Sequence, residues 1–323
     1  MLSRRALLAA PALLSPLAAT AQTAWRPDRP LRIIVGFAPG GTADLVARMA
    51  AQGMAQDLGV NVLVENRAGA SGNIATQAVV QAPADGHTMA LAGLQLVTNP
   101  ALIANLGYNP ATDLQMCGQL TALPVVVLAS AASGITSVPD AIRRAQSREV
   151  RIGTAGRGTS SHLGAELLFR TVGGRFEAIQ YRGGAPAFQA LLAGDVEMMF
   201  DLVAAYHAPA AAEGRIRIIG VMQQDRTPGY PDTPSFGELG LPAAAMMRSW
   251  QGICVRSGAP PAAVAALHRA TIAATRQPEM HERLRNLSVE TAESPDPAAF
   301  QAFYLDELRR WTDLIRAAGI EAQ

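Results

Sequence analysis

The sequence contains no lysine; all 27 of its basic residues are arginine. That excludes a lysine Schiff base and a phosphate loop of the GxxxxGK[ST] type. Cysteine is nearly as scarce, with only Cys117 and Cys254, both in apolar segments. One pair does not make a disulfide scaffold in a chain this long, so two buried thiols are expected instead of a bridge. Those thiols and the five scattered histidines form no CxxC, HExxH or comparable ligand spacing. No metal and no cofactor are therefore expected. Aromatic residues make up 5% of the chain and no charges run together, which argues against a nucleic-acid groove or a polybasic membrane patch. Past residue 21 no apolar run approaches the roughly 20 residues that span a bilayer.

What is present is ample core: 49% of the 323 residues are hydrophobic, and the length suits two lobes. Residues 1–21 read as a signal peptide and not as part of the fold. Arg4-Arg5 form a short basic region, Ala6 to Leu17 an apolar stretch, and Ala19-Thr20-Ala21 a cleavage signal. Ser3-Arg4-Arg5-Ala6-Leu7-Leu8 also fits a twin-arginine signal, so the export route stays open. Cleavage before Gln22 takes Arg4 and Arg5 from the 27 basic residues and leaves 25 against 26 acidic ones. A nearly neutral exported protein has to hold an anion by local geometry, not by a global field.

Such geometry is written twice. Leu31 to Val35 reads as a strand, Gly36 to Gly41 as a loop with few side chains, and Thr42 onward as a helix with Asp44 in its first turn. A helix N-terminus carries about four unpartnered N–H groups and a partial positive charge. Gly40 and Gly41 would let an anion approach them; alternatively, glycine here only supplies a left-handed turn. Val150 to Thr154, the loop Ala155 to Ser161, and a helix from His162 repeat the arrangement in the second half. Two such starts suggest two lobes that aim helix N-termini at one cleft.

Between and beyond them the chain alternates. A helix to Leu58, a strand at 61–65, a turn at 66–73, a helix through Gln81, a strand at 87–92 and a loop at 93–95 are expected. A short buried strand at 125–129, a helix at 137–145, and strands at 178–181, 196–200 and 215–221 form a second unit. A strand at 249–255 follows, then helices to the end. The order implies a mostly parallel α/β sheet, whose ligands gather at the carboxyl ends of strands.

Several motifs together resemble the solute-binding receptors of tripartite tricarboxylate transporters, the Bug family. They are Arg32 to Asp44, Val64-Glu65-Asn66-Arg67-Ala68-Gly69-Ala70-Ser71-Gly72, Ala84-Asp85-Gly86-His87-Thr88, Gly156-Arg157-Gly158-Thr159-Ser160-Ser161-His162-Leu163, Tyr181-Arg182-Gly183-Gly184, Pro231-Asp232-Thr233-Pro234 and Trp250-Gln251-Gly252. The resemblance covers nearly the whole mature chain. It implies a type II periplasmic-binding-protein fold: two α/β lobes, residues 22–124 with 247–323 and residues 125–246, with crossover strands near 120–128 and 247–255. It further implies a periplasmic, monomeric receptor that takes a small carboxylate and hands it to the transporter's membrane subunits. By the same resemblance Phe37, Pro39, Gly40, Gly41 and Asp44 bind from one lobe, and Gly158, Thr159, Ser160 and His162 from the other. Ser71, Gln95, Thr154, Gly183 and Asp201 are added as rim positions. His87, Gly107-Tyr108-Asn109-Pro110 and Cys117 depart from the family pattern at places that concern packing.

Individual residues keep two readings. Asp44 either caps its own helix or meets a ligand hydroxyl or amino group. His162 reads first as a hydrogen-bonded structural histidine, and Asp201 as a partner for a ligand ammonium, an ordered water or a helix cap. Trp250 and Trp311 read as core. Arg157, the only cation in either glycine loop, either faces solvent or takes a second carboxylate. The competing function is an exported hydrolase, but no GxSxG elbow is present. Gly153 to Gly158 mimics a dinucleotide fingerprint with the wrong spacing.

Overall fold

The computed structural model describes residues 25–287, 289–317 and 319–320, so the signal peptide read at 1–21 lies outside the described residues. The first part alternates: β1 (Leu31–Val35), α1 (Thr42–Leu58), β2 (Val62–Asn66), α2 (Asn73–Val80), β3 (Thr88–Gly93) and α3 (Gln95–Leu102). The middle part runs β4 (Leu114–Ser130), α4 (Val138–Ser147), β5 (Val150–Thr154), α5 (Ser160–Val172), β6 (Phe176–Gln180), α6 (Gly184–Ala193), β7 (Met198–Leu202), α7 (His207–Ala212) and β8 (Ile216–Val221). The last part is β9 (Arg248–Arg256), α8 (Pro261–Thr275), α9 (Pro278–Asn286), β10 (Glu290–Thr291) and α10 (Pro297–Ala317). Local chemistry explains many boundaries. Gly59, left-handed at φ 68°, ends α1 by donating its N–H to the Ala55 carbonyl. β1 is buried on both faces, as a central parallel strand must be, whereas β2 at the edge is half exposed.

The strands form two lobes around one shared element. In the first lobe the order is β2-β1-β3-β9-β4; in the second it is β4-β7-β5-β6, with β8 also on β4 and β10 on β4's first half. Residues 114–124 of β4 pair with β9, and residues 125–130 pair with β7 and β8. The short strand expected at 125–129 is thus the second half of a 17-residue strand. Gln115, Gly118, Gln119 and Thr121 break the apolar run that would have announced the first half. Two register shifts against β9 mark the same stretch. A return crossing lies beside the first, where Met247 N–H donates to the Met222 carbonyl and Met222 N–H to that of Val125.

The sheet is mixed, not mostly parallel. β1 is parallel to β2 and β3, and β5 to β6 and β7, while β4 and β9 pair antiparallel. A strand that enters a lobe from the cleft runs away from it, against neighbours whose carboxyl ends face it. That sets β9 against β3 in the first lobe and β4 against β7 in the second. α3 was not expected, and Pro100 stands inside it; the helix that Asp201 was given to cap is α7, of six residues.

Two apolar cores, each drawing on both lobes, hold the layers. One gathers Phe169, Phe200, Trp250, Phe300, Tyr304 and Trp311; the other includes Met54 of α1, Phe188 of α6 and Leu267 of α8. Cys254 belongs to the first core and Cys117 to the second, so the two thiols are buried and unbridged. Burial pushes the Cys254 thiol up to about 12 and Cys117 well above its ordinary value.

Candidate functional site

A cavity of about 60 Å³ lies between the lobes, at the carboxyl ends of their parallel strands. Its walls include the first residues of four helices: Gly41 and Thr42 at α1, Leu94 and Gln95 at α3, Thr159 to Ser161 at α5, and Gly184 at α6. None of the four carries a side-chain N-cap, so no side chain occupies that role at the cleft. By contrast, the Ser137 hydroxyl caps α4 by accepting the Asp140 N–H. Uncapped N-termini from two lobes, converging on one small space, offer N–H donors of the kind that suit an anion.

The lobes touch around this space. The Thr42 hydroxyl donates to the Val203 carbonyl at 2.9 Å, the Thr98 hydroxyl to that of Gly158 at 2.7 Å, and Ala38 N–H to that of Arg182 at 2.9 Å. A Cβ on Gly183 would fall 3.1 Å from Ala38 N, and one on Gly158 would fall 2.6 Å from Leu102 Cδ1. Gly158 also stands at φ 73°, so its glycine serves both the turn and the close approach.

Of the residues singled out in the sequence, Phe37, Gly41, Gln95, Thr159, Ser160 and Asp201 line the cavity. Pro39 and Gly40 lie exposed outside it. Asp44 serves α1: it accepts Gly40 N–H at 3.0 Å, Asn66 Nδ2 at 3.0 Å and Arg48 Nε at 3.0 Å. Burial works against its charge, but the Arg48 guanidinium and the Gly40 and Asn66 donors outweigh it and hold the carboxyl below the usual range. Thr154 is buried and donates to Gln180 Oε1, and Ser71 sits against Gly156 across the cleft. Arg157 does not line the cavity; its charge lies near enough to His162 to disfavour protonation there.

The second glycine loop is braced from within. The Thr159 hydroxyl donates to the Gly156 carbonyl at 2.5 Å, and Ser161 Oγ accepts the Ala155 N–H at 2.7 Å. His162 Nδ1 accepts the Gly158 N–H from behind at 3.3 Å. Asp201, expected at the edge of its strand, lies inside β7 and presents its carboxylate to the cavity wall.

Thr42, Gly184, Ser249, Trp250 and Gln251 also line the cavity. Thr42 and Gly184 were within reach of the sequence, the first following the Gly40-Gly41 pair and the second completing Gly183-Gly184. The signal for the others was the polar start of the apolar strand at 249–255, where Ser249 and Gln251 sit at alternate positions of one face. Trp250 is core, as expected, packing edge-on against Phe300 and Phe303, and it also contributes to the wall.

Residues 46–320 match the sequence profile described as tripartite tricarboxylate transporter family receptor. The structure is similar to that of the periplasmic binding protein BugD, with a TM-score of 0.86 and 31% identity, covering 92% of this chain and 100% of that one. It is similar to MatC from Rhodopseudomonas palustris with bound malate, at TM-score 0.84 and 30% identity over 90% of this chain and 99% of that one. Another R. palustris protein, solved with adipate, is similar at TM-score 0.86 and 29% identity, covering 92% and 99% of the two chains.

Proposed function

The chain belongs to the tripartite tricarboxylate transporter receptor family, and from that premise we propose that it captures a small carboxylate in the interlobe cavity. It then delivers that ligand to the membrane subunits of a tripartite transporter, acting as a monomer in the periplasm after signal cleavage near Ala21. The observation that carries the reading is the convergence of four uncapped helix N-termini on a cavity with no cationic side chain among the described residues that line it. Backbone N–H groups there supply the positive end of an anion site. Structures of similar proteins with malate and adipate support a carboxylate as the anion. The lobes are taken as residues 22–124 with 247–323 and residues 125–246, a division supported by the change of β4's partners after Pro124.

The geometry disfavours the hydrolase reading. Asp201 and His207 make a carboxylate–imidazole contact at 3.1 Å, but the other ring nitrogen accepts the Ala204 N–H at 3.3 Å. No nitrogen remains to activate a serine.

Calorimetry with a panel of mono-, di- and amino-carboxylates tests the reading, with Gly41→Val as the control. A Cβ at Gly41 would stand 3.8 Å from Ala185 N, and the added methyl groups would reach into the space between α1 and α6. The variant is expected to fold and to lose ligand affinity. Normal binding by Gly41→Val would reduce the first glycine loop to a turn, and turnover of an ester panel would favour the enzyme.

A further inference from the structure

The helix N-termini account for one end of a ligand, while the opposite requirement is set by two acceptors in the same wall. Asp201 is the only ionisable side chain among the described residues that line the cavity, and it is 5% exposed. Its Oδ2 accepts the Tyr206 hydroxyl at 2.9 Å and meets His207 Nε2 at 3.1 Å; its Oδ1 accepts the Leu202 N–H at 2.9 Å. His207 Nδ1 accepts the Ala204 N–H at 3.3 Å and faces the Tyr230 hydroxyl at 3.5 Å, which turns the Nε2 side of the ring toward Asp201. Burial and the adjacent carboxylate push the Tyr206 phenol well up, so it stays a neutral donor. Three partners suit a carboxylate, and no guanidinium or ammonium group is among them.

Gln251 adds an independent observation. It is 4% exposed, lines the same cavity, and its Oε1 has no hydrogen-bond partner among the described residues. A buried acceptor left unpaired costs about 1–3 kcal/mol, which a donor on the ligand would recover.

Granting that this cavity is the carboxylate site, we propose that its ligand is a small zwitterion: an amino acid with a short, uncharged side chain. Its carboxylate takes the helix N-termini, and its ammonium group lies against Asp201 and Gln251. The cavity is small, at about 60 Å³, so a second carboxylate would have little room away from Asp201. Like charges in a desolvated site repel strongly, and no arginine in the lining offsets them. A dicarboxylate is therefore selected against, and a hydroxy acid is held less firmly than an amino acid.

Isothermal titration of the mature wild-type protein with 2-aminobutyrate, butyrate, 2-hydroxybutyrate and succinate tests this. 2-Aminobutyrate should bind at least tenfold tighter than the other three, with succinate weakest. Succinate, butyrate or 2-hydroxybutyrate binding as tightly as 2-aminobutyrate would overturn the zwitterion while leaving a carboxylate receptor standing. Binding of none of the four would overturn both. Asp201→Asn should erase the preference for the amino acid. Since Tyr206 and His207 lean on that carboxylate, Gln251→Leu serves as a second variant whose Oε1 has no protein bond to lose. It should weaken 2-aminobutyrate several-fold and leave butyrate unchanged at an unaltered melting temperature; an equal loss for both ligands would overturn the assignment.

Discussion

His162 sits behind the second glycine loop, where burial lowers its pKa from 6.5 to about 4; the positive charges of Arg157 and Arg170 add to that and Glu166 opposes it. The neutral ring is the form that accepts the Gly158 N–H. The folded pKa lies below the unfolded one, so the unfolded chain binds the proton first. The contribution of His162 to stability is complete above about pH 6.5 and is lost progressively as the pH falls to about 4. Over that window the loss is on the order of 3 kcal/mol. Urea melts at pH 7, 5.5 and 4.5 should show it, and His162→Gln should flatten the profile. An unchanged slope in the variant would place the pH dependence elsewhere. At this scale Asp44 and His162 hold their loops in shape, and Asp201 faces the cavity.

Among the elements, α4 and the cleft helices divide stability from binding. Ser137 accepts the Asp140 N–H at 3.2 Å, and the Asp140 carboxylate accepts the Thr136 N–H at 3.2 Å in return. This reciprocal cap completes the start of a helix that contributes nothing to the cavity wall. Ser137→Ala is expected to lower stability by about 1 kcal/mol and leave ligand affinity unchanged. Melting and titration of the same preparation check both halves. A loss of affinity at constant stability would mean that α4 matters to the cleft. The loop before α2 is shaped differently. Gly69 and Gly72 flank Ala70 at φ 45° and Ser71 at φ 52°, two side-chain-bearing residues in the left-handed region. Ser71 then accepts from Asn99 Nδ2 through its carbonyl and sits against Gly156, so the strained turn is part of the contact between lobes.

For the whole molecule, the described conformation is closed, with Thr42, Thr98 and Ala38 each hydrogen-bonded across the cleft. A ligand that touches both lobes favours this state over an open one by the difference in its contacts. Small-angle scattering is expected to give a smaller radius of gyration with saturating ligand than without. Thr98→Val keeps the shape of a fully buried side chain but removes the bond to Gly158. It should weaken binding about fivefold, the equivalent of roughly 1 kcal/mol, by disfavouring closure. An unchanged affinity, or a radius that ignores a bound ligand, would argue against a clamp.

The sequence by itself determined what neighbouring residues decide. The strand–glycine–helix starts at Leu31 and Val150 were legible because each is written in about a dozen consecutive residues. So were the left-handed end of α1 at Gly59 and the two-lobed α/β class implied by the order of the motifs. Of the residues that line the cavity, Phe37, Gly41, Thr159 and Ser160 were named through the family resemblance, and Gln95 and Asp201 as rim positions at strand ends. The reach of β4 could not be read, since its first half is defined by partners in β9 and not by its own apolar pattern. Nor could Ser249 and Gln251 be assigned to the cavity: they arrive there only because β9 lies between β3 and β4. The contact between Thr42 and Val203 spans 161 residues of chain. Only tertiary structure decided which helix starts face the cleft, that the lobes are closed, and that Asp201 stands in the wall beside Tyr206 and His207. Each of these depends on elements meeting in space, and the local forces that form a strand or a turn do not act over that separation.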